Sequence, residues 1–177
     1  MMDEIWRKAL SRQFRATIDM LGNALRACPD ELWTAHMWKD PAMRPEFSDF
    51  WYVAYHTLFW LDLYLSGDGE GFVPPAPYNL DELDPRGVLP ERVYTRDELL
   101  AYVAHCRQKC KLTIEHLTDE KAHQIYKFSW AKNGLSFAEL LVDNMRHVQE
   151  HAAQLNMLLG QSAGISTGWV PHPIDED

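Results

Sequence analysis

The sequence predicts an all-α protein, a four-helix bundle with a long crossover between its second and third helices. Three observations carry this. Four long stretches read as helices, the first with apolar residues recurring at three- to five-residue steps. Two of them open on a Ser or Thr with a Glu three residues on, the signature of a capping box. No run reads as a strand, so nothing competes with helix-on-helix packing.

The first helix is expected from about Asp3 to Ala27. Ile5, Leu10, Phe14, Ile18, Leu21 and Leu25 form its apolar stripe, and Arg7, Lys8, Arg12, Arg15 and Asp19 take much of the remaining surface. Cys28-Pro29 ends it, because the residue before a proline is pushed out of the α region. The second helix is expected from Ser48, as N-cap, to Ser66, with Gly67 as the stop. It is apolar nearly all round, from Phe50, Trp51 and Tyr52 to Leu63, Tyr64 and Leu65. Such a helix must be covered on more than one side. That predicts a central place in the bundle or a subunit interface, and hence a homodimer.

Residues 67–94 hold Pro74, Pro75, Pro77, Pro85 and Pro90 and read as a long non-helical connection. Phe72, Val73, Tyr78, Leu80 and Leu83 give it groups that can pack, so it is a crossover rather than an interdomain linker. The third helix opens on the Thr95/Glu98 capping box and ends near His116; Thr118 begins a short extra turn. The fourth opens on the Ser136/Glu139 capping box and stops at Gly160. The division is therefore a bundle over residues 1–160 and an irregular tail over 161–177.

With 177 residues the chain has the length of one ordinary domain. Its 17 Lys+Arg against 26 Asp+Glu leave a net charge of −9, which weighs against nucleic acid and against an anionic membrane surface as partners. The longest apolar run, Phe50 to Leu65, contains His56 and Asp62 and is too short and too polar to span a bilayer. The acidic start at Asp3 and Glu4 has no export signal in it, and the three cysteines, an odd count, read as reduced thiols in the cytoplasm. Cys106 and Cys110, four apart on a helix, have poor geometry for a disulfide.

The chemistry concentrates in a few histidines. His147 and His151 sit four apart on the last helix, so both imidazoles point the same way from successive turns, at the edge of that helix's apolar arc with Asn144 close by. Two imidazoles so placed can chelate one transition metal. His56, alone in the aromatic second helix between Tyr52 and Trp60, needs a partner for its ring nitrogens and is the candidate third ligand. Three neutral nitrogens leave open positions on zinc, nickel or iron for water or substrate. Val148 follows His147, so the H-E-x-x-H pattern of metalloproteases is absent. Asn144, Tyr52, Trp60, Glu150 and Thr57 are candidates to line or support the site. His105 and His116 share a charged face of the third helix and read as solvated; His36, His123 and His172 have no chelating neighbour. Neither a Gly-rich phosphate loop nor a G-x-S-x-G elbow occurs.

These features resemble the DinB-like (DNA-damage-inducible) superfamily of four-helix-bundle metalloenzymes. The likeness lies in the lone His of Trp51-Tyr52-Val53-Ala54-Tyr55-His56-Thr57-Leu58-Phe59, in the long crossover, and in Arg146-His147-Val148-Gln149-Glu150-His151-Ala152-Ala153-Gln154-Leu155. It spans roughly residues 5 to 160. The resemblance implies that His56, His147 and His151 form a metal triad, that the bundle dimerises, and that a low-molecular-weight thiol is activated, as in relatives that are thiol transferases and isomerases using bacillithiol, mycothiol or glutathione. Activation of water is the hydrolytic variant of that expectation. A dimeric, stress-related metal-binding module without turnover is the alternative.

Overall fold

The computed structural model of the chain describes residues 3–67 and 69–174. Helix α1 spans Glu4–Ala27, α2 Phe50–Ser66, α3 Arg96–Glu115, and a short α4 Asp119–His123. A hairpin of β1 (Ile125–Phe128) and β2 (Ala131–Ser136) then leads into α5, Phe137–Ala163. The helix starts follow their caps: Asp3 accepts from the Ile5 amide, and Thr95 and Ser136 both complete their capping boxes with Glu98 and Glu139.

Three boundaries differ from the sequence expectation. Ser48 does not cap α2: its hydroxyl donates to Pro45 O, at 2.7 Å, inside a preceding 3₁₀ turn, and the helix begins after Asp49. Gly160 does not stop α5. The helix continues to Ala163 and ends where Gly164 takes the left-handed conformation, φ 66°, with Ile165 N–H reaching back to Leu159 O. The irregular tail thus starts at Gly164. It lies along α1, where Gln13 donates to Pro171 O and Ile174 N–H donates to Asp19. Third, residues 125–136 are a β-hairpin, not loop. Gly134, φ 74°, sits within β2, where an added Cβ would meet Ile125 and the Tyr126 carbonyl.

α1 packs on α3 and α5, and α2 packs on the same two helices, so α1 and α2 lie across the bundle's diagonal. The crossover makes that order possible by carrying the chain from α2 to α3. Every residue of α2 except His56, Trp60 and Ser66 is buried. The chain supplies this cover itself: Phe72, Tyr78 and Tyr94 of the crossover pack on Phe59 and Tyr55, and Phe128 of the hairpin packs on Tyr64. The uniform apolarity of α2 therefore needs no second subunit to explain it.

α2 and α3 are also tied by a buried charge. Asp62, 1% exposed, accepts from Lys109 Nζ at 2.5 Å and Tyr102 OH at 3.1 Å, and His105 Nε2 lies 3.3 Å away. His105 touches this cluster while its side chain stays 42% exposed, on the solvated face expected for it. Among the described residues, no helix is long and apolar enough to cross a membrane.

Candidate metal centre

α2 and α5 are neighbours, and His56 of α2 meets His147 and His151 of α5 across their contact. His56, His147 and His151 converge, each offering a ring nitrogen, with these atoms all within 4.8 Å of one another. The ring centroids stand 5.5 Å (His56–His147), 5.4 Å (His56–His151) and 4.6 Å (His147–His151) apart. The i, i+4 pair projects from successive turns of one helix, and the third ring comes across the helix–helix contact. The His56 side chain is 32% exposed, so the group is open to solvent on one side.

The ring nitrogens are prepared for ligation. His56 Nδ1 lies 2.7 Å from Glu82 Oε2, and an ionised carboxylate can only accept. In the neutral ring Nδ1 therefore carries the proton and Nε2 keeps its lone pair. His151 Nδ1 pairs in the same way with Gln154 Oε1 at 2.7 Å. His147 Nδ1 is buried and has no hydrogen-bond partner among the described residues. Burial, followed by the charges of His151 and His56, lowers the His147 pKa to about 3. Burial and then His56 lower His151 also, against the opposing Gln154 bond and Glu150 charge. These two imidazoles are neutral at physiological pH, the form in which histidine binds metals. A buried orphan nitrogen and a set of neutral donors fit a borderline-soft divalent ion.

The supporting candidates divide. Tyr52 donates its hydroxyl to Glu82 Oε1, and Trp60 Nε1 donates to Glu82 Oε2 at 3.0 Å. Both therefore reach the centre through Glu82. Asn144 is fully buried but its amide donates to Leu61 O at 3.1 Å, which ties α5 to α2. Thr57 donates to Val53 O at 2.6 Å. Glu150 is exposed and lines a different groove, between α1 and α5, with Gln13, Ala16 and Trp169.

Glu82 itself was not anticipated. It sits on a 3₁₀ turn of the crossover, Asp81–Leu83, with its side chain 4% exposed. Burial alone would raise its pKa; the His56 bond and charge, with the Tyr52 and Trp60 donors, outweigh burial and hold it below the usual range. The only signal in the sequence was an acidic residue in a Pro-rich segment already marked as able to pack.

A family model described as the DinB superfamily matches residues 13–155, a span that includes the crossover and all three histidines. No curated protein matches the chain.

Proposed function

The chain belongs to the DinB superfamily, and from that premise we propose that it is a metal-dependent enzyme whose triad, His56, His147 and His151, holds zinc, nickel or iron and acts on a small molecule with the help of a low-molecular-weight thiol or water. The observation that carries the reading is the convergence of the three imidazoles with two of their Nδ1 atoms already committed to acceptors. When bound, such an ion lowers the pKa of a coordinated thiol or water and so supplies a nucleophile at neutral pH.

The chain's own residues account for the rest. Glu82 and Gln154 hold two imidazoles in the ligating tautomer. Desolvation keeps His147 and His151 free of protons that compete with a metal. The protein's cysteines are poor nucleophiles: burial raises Cys28 and Cys110 to about 12 and Cys106 well above its ordinary value. A reactive sulfur must then come from outside, which suits a cytoplasmic setting and a small thiol co-substrate.

A second reading, a metal-binding module without turnover, is favoured by one observation. Thr57 and Asn144 are committed to backbone carbonyls and Glu150 faces another groove, so none of these three serves as a general base. In either reading the homodimer rests on the family likeness alone; a monomer mass at micromolar concentration contradicts it. Metal analysis after reconstitution tests both readings. Stoichiometric metal, lost in the double variant His147→Ala/His151→Ala, supports them, and a metal-free wild type refutes them. Conjugation assays with several small thiols then separate the two, since turnover by the metal-loaded protein selects the enzyme.

A further inference from the structure

One carboxylate gathers three donors from one stripe of α2. Tyr52, His56 and Trp60 stand four residues apart on successive turns, and all three bond to Glu82 of the crossover. Tyr52 donates through its hydroxyl here, and Trp60 through an indole N–H that can do nothing else. His56 is the one partner with a choice, because a neutral imidazole can carry its proton on either nitrogen. Beside a carboxylate the choice is removed. The Tyr52 and Trp60 bonds in turn hold the Glu82 side chain in the one position where it meets Nδ1.

We propose that Glu82 is the positioning residue of the triad: it locks His56 in the Nδ1–H tautomer with Nε2 free for a metal, and so couples the seating of the crossover to the filling of the centre. This deepens the metal-centre reading and rests on it for the coupling. The coupling follows from linkage. A cation on Nε2 withdraws electron density from the ring and makes Nδ1–H a stronger donor to Glu82, so filling the centre strengthens the bond that seats the crossover. By reciprocity, a seated crossover must raise metal affinity by the same factor. A simple tether has neither consequence, because it is indifferent to which His56 nitrogen bears the proton.

The test uses the full chain and two readouts. Imidazole ¹⁵N NMR of the metal-free protein reads the His56 tautomer directly. The expected result is a single Nδ1–H form in the wild type and a mixture in Glu82→Gln, whose amide can accept from or donate to the ring. A wild-type His56 protonated on Nε2 overturns the proposal without any variant. Titration with zinc against a chelator, alongside amide exchange across residues 67–94, reads the coupling. Affinity is expected to fall about 10- to 100-fold in Glu82→Gln. Zinc is expected to slow crossover exchange in the wild type and to do so much less in the variant. Unchanged affinity with an unchanged tautomer overturns the proposal. If Glu82→Gln does not fold, Tyr52→Phe removes one of the two bonds that hold Glu82 and is expected to admit some Nε2–H form and to weaken zinc binding; tautomer and affinity both unchanged there overturn the proposal. If the wild type binds no metal, the metal-centre reading fails, while the tautomer measurement still decides whether Glu82 positions His56.

Discussion

Burying His147 as a neutral base makes the fold of the metal-free protein acid-sensitive, by an amount that can be worked out. An unfolded histidine titrates at about 6.5, whereas burial and the charges of His151 and His56 lower His147 to about 3 in the folded chain. With the folded value depressed, the unfolded chain takes up a proton that the folded chain refuses. The stability contribution is therefore complete above the unfolded value and is lost as pH falls from about 6.5 towards about 3. At about 1.4 kcal/mol per unit, lowering pH from roughly 7 to roughly 5 costs about 2 kcal/mol through this one residue. Urea unfolding in the presence of a chelator, at both pH values, measures it when wild type is set against His147→Gln. Carboxylates and the remaining histidines titrate in both proteins, so the comparison isolates His147. The wild type is expected to lose about 2 kcal/mol more than the variant. Equal losses would show that His147 is not held neutral in the fold, and the argument that its nitrogen is prepared for a metal would go with it.

Two other perturbations test the frame around the centre. Gly67 ends α2 with φ 101°, and a Cβ there would stand 2.5 Å from the Tyr126 ring. Gly67→Ala is expected to cost about 3 kcal/mol from backbone strain and overpacking together. Gly164→Ala, at φ 66° with no atom within 4 Å of the added carbon, is expected to cost about 1 kcal/mol. Thermal unfolding of the two side by side checks both; equal losses would remove the role given to the Tyr126 contact. Asp62→Asn leaves Lys109, 28% exposed, without its charge partner and should cost about 3 kcal/mol in the same assay. A loss below about 1 kcal/mol would class the pair with surface ion pairs.

What could be read from the chain follows from which interactions are local. α1, α3 and α5 begin where their caps stand, because a cap and its amide are at most three residues apart. His147 and His151 were legible for the same reason, and His56 because a polar residue in an aromatic helix is conspicuous. Ser48 misled because its hydroxyl had a competing acceptor in Pro45 O. The hairpin was missed because its strands, Ile125–Phe128 and Ala131–Ser136, are short, and Asn133-Gly134, which reads as turn chemistry, lies inside β2. His105 lies exposed as its charged neighbours suggest, but its contact with Asp62, on the facing helix, is not legible from them. Glu82 lies 26 residues from His56 along an irregular segment, and no periodicity relates the two.

Two of the carboxylates packed on α2, Asp62 and Glu82, are compensated in different ways, and the difference bears on function. Asp62 has a full positive charge at 2.5 Å, from Lys109, so its cluster is closed electrostatically. Glu82 is held ionised by a phenol, an indole and an imidazole. With His56 neutral, these donors satisfy the carboxylate's hydrogen bonds without cancelling its charge, and in a medium of low dielectric that charge is felt across the His56 ring. Two imidazoles on the far side of the ring are themselves kept neutral, so they do not neutralise it with protons. The local field at the three nitrogens thus favours a cation that the proteins' own side chains do not supply. Replacing Glu82 by Gln preserves shape and most hydrogen bonds while deleting that field, so its cost should fall more heavily on metal affinity than on folding.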